Sequence, residues 1–113
     1  MISNLTRQTT LARRVVIAED SSARMKGLLG RLNLEPDEAL VITHCQSIHM
    51  FFMKFAIDVI FCDKDNKVIG LCANIKPWQL SPIFFKASLA IELPTGTIAL
   101  TKTQLQDQIT IRV

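Results

Sequence analysis

The stretch Ile48 to Cys62, IHMFFMKFAIDVIFC, is apolar throughout except at His49, Lys54 and Asp58. At 15 residues it is shorter than the ~20 apolar residues a membrane-spanning helix needs, and Lys54 and Asp58 would be costly at bilayer depth. It is therefore expected inside a folded domain. As far as Phe55 the aromatic-rich sequence reads as strand or irregular chain. From Ile57 it reads as a strand that stops at Asp63-Lys64-Asp65-Asn66. Those four residues favour a tight turn, and Lys67 to Ala73 resumes a β-branched apolar pattern, so the two runs are expected to form a hairpin.

Elsewhere Val15-Val16-Ile17 reads as a short strand, and Asp20-Ser21-Ser22 supplies a helix N-cap. Ala23 to Leu29 then forms a helix, with Met25, Leu28, Leu29 and Leu32 at three-to-four spacing towards the core and Gly30 in the left-handed C-cap position. Ala39 to Thr43, Ser88 to Leu93 and the alternating Gln108 to Val113 are further strands. Pro77 and Pro82 punctuate a loop carrying Trp78, Phe84 and Phe85. Many short strands with one clear N-terminal helix predict a mainly β fold, α+β by strict count, arranged as a small β-sandwich or partly closed barrel. At 113 residues one core is feasible. No internal repeat divides the chain, so residues 1–113 are expected to be a single domain, with residues 1–10 either poorly ordered or an edge strand.

Hydrophobic residues at 49% and charged residues at 20% exclude a disordered chain. Cys45, Cys62 and Cys72 are an odd number without a CxxC pair, which favours free thiols in a reducing compartment. The N-terminal sequence lacks an apolar run of signal-peptide length, so the expected location is the cytoplasm, with no membrane span. The net charge of +3 is uneven: residues 1–31 hold six Arg or Lys against two acids. No aromatic sits among those charges, so a small ligand or a protein, rather than nucleic acid, is the expected partner.

Several motifs together carry a resemblance: Arg24, Gly27-Leu28-Leu29-Gly30-Arg31, Ser47-Ile48-His49, Phe51-Phe52-Met53, Phe55, Ile57-Asp58-Val59, Phe61, Pro77-Trp78 and Glu92-Leu93-Pro94-Thr95-Gly96-Thr97. From about Ala12 to near its C-terminus the chain resembles the prokaryotic domain-of-unknown-function family numbered 192. The resemblance implies a mainly β fold with a helix and carries no established activity. Ala56 stands where that family usually has Pro, and Gln106-Asp107 replaces a common Gly-Asp turn.

The chemistry-bearing candidates are few. His49 and Asp58 interrupt core-forming sequence, and an unpaired buried polar group costs roughly 2–7 kcal/mol, so something must satisfy each. One outcome is structural, with Asp58 accepting backbone or Arg hydrogen bonds. The other is a pocket lined by His49 and Asp58, with Arg24, Arg31, Trp78 and Glu92 as the remaining candidate pocket or ligand-binding residues. His44, Cys45 and His49 are the metal suspects, but along an extended strand Cys45 and His49 lie roughly 13 Å apart, too far to share an ion. No metal or other cofactor is therefore expected. Phe51, Phe52, Phe55 and Phe61 are most simply core, unless one face of their segment is covered by a ligand or partner. No Gly-rich phosphate loop, nucleophile elbow or HExxH occurs. The favoured reading is a non-catalytic ligand- or protein-binding accessory module. The alternatives are a small hydrolytic enzyme using His49 and Asp58, and a metal-handling protein using His44, Cys45 and His49.

Overall fold

The computed structural model describes residues 1–28 and 30–113. The elements run β1 (Ile2–Asn4), β2 (Thr9–Ala12), β3 (Arg14–Ala18), α1 (Ser21–Leu28), β4 (Glu38–Thr43), β5 (Ile57–Cys62), β6 (Val68–Ile75), β7 (Leu89–Pro94), α2 (Thr97–Thr101) and β8 (Ile109–Ile111). Five strands form one sheet in the order β3-β4-β7-β5-β6, with β3 and β4 parallel and the other pairs antiparallel. The other three form an antiparallel sheet in the order β2-β1-β8. The fold is thus mostly β, built from two sheets and not closed into a barrel.

Both faces of the large sheet are covered. On one, Ile2, Leu11, Ala12 and Ile109 of the small sheet pack against Val41, Ile60, Cys62, Ile91 and Leu93. On the other, Ile42, Ile57, Val59, Phe61 and Ala90 lie under Leu28 of α1, Leu34, Ile48, Met50 and Met53. All six residues of β5 are buried. A strand covered on both faces needs no polar alternation, which explains the unbroken apolar run into Cys62.

The expected hairpin is β5–β6. Its turn is fixed by Asp63, whose Oδ1 accepts from the backbone N–H of Asp65 at 2.9 Å and of Lys67 at 3.0 Å. Asn66 takes the left-handed conformation there, with φ 60°. Asp20 caps α1 through Oδ1, accepting from the Ala23 N–H at 2.8 Å. Gly30 has φ 83°, as its place after the helix required.

Several expectations need correction. Among the described residues there are two helices, not one: α2 is a five-residue turn entered through Gly96 at φ 92°, too short to show a helical period. Within residues 1–10, Ile2–Asn4 is the middle strand of the small sheet, with Ile2 fully buried, and Thr9 begins β2 at its edge. The first helix ends at Leu28, so Leu32 lies beyond it and is exposed, while Leu34 is buried instead. The side chains of Met25 and Leu29 lie outside the described residues.

Candidate functional site

Strand alternation sends neighbouring residues of β7 to opposite faces. Ile91 and Leu93 meet the small sheet, so Glu92 points the other way, towards α1. There it meets Arg24, and the two form an ion pair with side-chain exposures of 3% and 0%. Arg24 Nε donates to both carboxylate oxygens of Glu92, with the longer contact at 2.9 Å. Burial pushes the Glu92 carboxyl up, and Arg24 opposes that shift. The rest of the guanidinium reaches the loop above: Nη1 donates to the His49 carbonyl oxygen at 2.7 Å and Nη2 to Met50 Sδ at 3.7 Å. Arg24 thus ties α1, β7 and the segment after β4 into one unit.

That segment pairs with the chain following β6. Met50 N–H donates to Gln79 O (2.9 Å), Trp78 N–H to Met50 O (2.8 Å), Ser81 N–H to Ile48 O (3.0 Å) and Phe84 N–H to Gln46 O (2.8 Å). Ile48, Met50, Met53 and Phe84 turn inward onto the sheet. Phe52 and Trp78 turn outward, 63% and 60% exposed, with Phe51 at 38%. The four rings touch in series: His49 stacks on Phe51 at 4.8 Å between centroids, Phe51 lies 5.9 Å from Trp78, and Phe52 lies 5.0 Å from Trp78. Both Phe52 (φ 65°) and Trp78 (φ 70°) are left-handed, a conformation that costs a residue with a side chain roughly 1–2 kcal/mol. Of the four Phe side chains expected in the core, Phe61 is buried and Phe55 half-buried, but Phe51 and Phe52 form this outer surface.

Asp58 does not join them. On β5 it shares the small-sheet face with Ile60, and its carboxylate accepts from the backbone N–H groups of Asn74 (2.8 Å) and Ile98 (2.9 Å). It thereby holds β6 to the start of α2, the turn-fixing use of a buried carboxylate. His49 sits above the opposite face, so a His49–Asp58 acid–base pair is not assembled. The imidazole Nδ1 accepts from the Phe51 N–H at 3.3 Å, and burial, then the Arg24 charge, lowers its pKa.

The remaining candidates are dispersed. Arg31 pairs with Glu38 near the surface. His44 and Cys45 line an open cleft of about 310 Å³ with Glu19, Asp20 and Ser47. Among the described residues, no three His, Cys, Asp or Glu side chains come together as a metal would require. Burial raises the pKa of all three thiols, that of Cys62 to about 12, which works against a thiolate nucleophile. The excess of positive charge in residues 1–31 is largely neutralised across the fold, because Arg7, Arg13, Arg24 and Arg31 pair with Asp107, Asp37, Glu92 and Glu38. Of the candidate pocket residues, His49 and Trp78 lie in the surface just described. Phe51 and Phe52, expected most simply in the core unless a ligand or partner covers one face of their segment, are exposed, and their only signal in the sequence was an excess of large apolar groups.

A small two-sheet β protein, with a buried Arg–Glu pair beneath a paired-loop layer bearing exposed aromatic rings, is the class these features define. The chain belongs to the family described as "Uncharacterized ACR" (DUF192), which it matches over residues 3–111. It is 33% identical to a UPF0127 protein of Thermococcus sibiricus, over 96% of this chain and 73% of that one. It is also 33% identical to a UPF0127 protein of Pyrococcus horikoshii, over 96% of each. A solved structure of a protein of unknown function from Novosphingobium aromaticivorans has a TM-score of 0.78 at 20% identity, covering 97% of this chain and 83% of that one. No helix among the described residues is long and apolar enough to cross a membrane.

Proposed function

We propose that the protein is a non-catalytic binding module whose contact surface is the outer ring cluster of His49, Phe51, Phe52 and Trp78. The observation that supports this reading is the coincidence of exposure and strain at Phe52 and Trp78. An exposed position in the left-handed region favours Gly or Asn, yet here it holds two of the largest apolar side chains, which gain little from folding while so exposed. Strain retained without burial is what a surface kept for contact would show. Arg24, Glu92 and the Met50 side chain hold the cluster from below, and Arg24 is a positioning residue in this arrangement. Asp58 and Arg31 have architectural roles.

The test is the double variant Phe52→Gly/Trp78→Gly with the apolar dye anilinonaphthalene sulfonate as probe. The folded wild type is expected to bind the dye, and the variant to lose that binding while melting at the same temperature or higher. A wild type that binds no dye, or a variant that binds it equally, overturns the reading. So does a variant that melts more than ~10 °C lower, because the rings would then be serving the fold.

A further inference from the structure

The composition of the two paired loops indicates what covers the ring cluster. Residues 44–56 and 76–88 together contain Lys54, Lys76 and Lys86 and no Asp or Glu. All three lysines are exposed, and the four ion pairs found among the described residues involve arginines only. The same two loops carry six exposed large apolar side chains, Phe51, Phe52, Trp78, Leu80, Ile83 and Phe85. All lie on a layer whose inner residues, Ile48, Met50, Met53 and Phe84, are committed to the core. Antiparallel pairing holds the two loops together, with Leu80 opposite His49.

We infer that this face docks on an anionic lipid surface, with the rings and aliphatic side chains entering the headgroup layer and the lysines resting on lipid phosphates. This deepens the binding-module reading and rests on it. The chemistry fits in three respects. Trp and Phe with flanking Lys suit the boundary between water and hydrocarbon. Three exposed lysines that form no ion pair among the described residues, on loops that contain no acid, match a negative surface, where each contributes about a fivefold gain in binding. Leu80 and Ile83 favour lipid over single-stranded nucleic acid, because aliphatic side chains cannot stack on bases and these loops contain no Arg. Nothing is inserted across the bilayer. The protein would lie on the membrane through one face, as interfacial proteins do.

Trp78 is the single tryptophan and the chain has no tyrosine, so its fluorescence reports on this face alone. The experiment mixes the full chain with vesicles of phosphatidylcholine alone and of phosphatidylcholine with phosphatidylglycerol. It follows Trp78 emission and co-sedimentation at low and high salt. The expected result is a blue shift and sedimentation with the anionic vesicles, weakened by salt. Lys54→Gln/Lys76→Gln/Lys86→Gln should weaken binding about a hundredfold, and Phe52→Gly/Leu80→Ser should weaken it about tenfold or more. Both variants alter exposed positions and are checked for an unchanged far-ultraviolet circular dichroism spectrum. A wild type that stays in solution with anionic vesicles at low salt overturns the inference, as does equal binding by both variants. So does an emission shift produced by a single-stranded oligonucleotide but not by vesicles. If vesicles fail while the dye still distinguishes wild type from Phe52→Gly/Trp78→Gly, only the lipid assignment falls. If both probes fail, the binding-module reading falls with it.

Discussion

Replacing Arg24 by Ala would leave the Glu92 carboxylate, 0% exposed, without its counter-charge, and would strip the His49 carbonyl of its donor. Breaking a buried ion pair from one side costs about 3–5 kcal/mol, mostly through the charge left behind. For a chain of this size that is a fall in melting temperature of roughly 12–20 °C at neutral pH. The sign of the pH dependence follows from Glu92. Burial already pushes its pKa up, and loss of Arg24 removes the opposing influence, so the folded variant favours the protonated acid. The variant therefore retains its stability below the unfolded value of about 4.3 and loses it as pH rises through the folded one, and its deficit against wild type should shrink in acid. Arg24→Met/Glu92→Leu removes both charges and should recover most of the loss. It should not restore the donor to His49, so amide exchange of residues 49–52 should remain faster than in wild type. Thermal denaturation of wild type, Arg24→Met, Glu92→Leu and the double variant across pH forms the full cycle, with Arg24→Ala measured beside it. A cost below about 1 kcal/mol for Arg24→Ala, a deficit independent of pH, or a double variant as unstable as the singles would refute the reasoning.

A Cβ added at Gly70 would lie 2.5 Å from Phe84 Cε1 and 2.7 Å from Cδ1 and Cζ. The Phe84 ring is itself backed by Phe61 at 4.6 Å between centroids, so Gly70→Ala should cost about 1–3 kcal/mol in chemical denaturation and be partly relieved by Phe84→Leu; an unchanged midpoint would mean the ring yields freely. Asp58→Asn puts an amide where two backbone N–H groups donate and should cost about 1–3 kcal/mol while leaving dye binding at the ring cluster intact; loss of dye binding would contradict the placement of Asp58 on the other face. Burial, then the Arg24 charge, lowers the His49 pKa, so stability should be full above the unfolded value of about 6.5 and decline as pH falls through the folded one. His49→Asn should flatten that part of the stability–pH curve, and an identical slope in the variant would exclude His49 as its source.

The parts of the fold legible in the sequence were those specified by local chemistry. The Asp63 to Asn66 turn announces itself because Asp63 bonds its own neighbours, and Asp20 caps α1 by the same kind of short-range contact. The strands β1 and β2 and the helix α2 were illegible because they are three to five residues long and exist through distant partners. Asn4, for example, reaches Thr103 and Asp107, and Asp58 meets the start of α2 forty positions away. Leu32 was misplaced because periodicity continues in sequence where the helix stops in space. Composition alone places Phe51 and Phe52 in the core, and only the backbone, with Phe52 forced into the left-handed region, turns them outward.

Charge illustrates the same limit from the opposite direction. The arginine-rich N-terminal third looks like a basic patch along the chain, yet Arg7 and Arg24 find their acids 100 and 68 positions later, and Arg13 and Arg31 find theirs at Asp37 and Glu38, where β4 begins. Apart from the buried Arg24–Glu92 pair, these more exposed pairs add little stability, about 0–1 kcal/mol each, but all four remove the field that a run of arginines would otherwise project. Lys54, Lys76 and Lys86 show the reverse. Spread over 33 positions they form no motif, yet the pairing of residues 46–50 with 78–84 brings together the two loops that carry them and the exposed rings. A partner chosen by the charge density of the sequence would be sought at the N-terminus. Once pairing is taken into account, four of the six cations in that third have carboxylate partners, whereas Lys54, Lys76 and Lys86 have no acid within their own two loops.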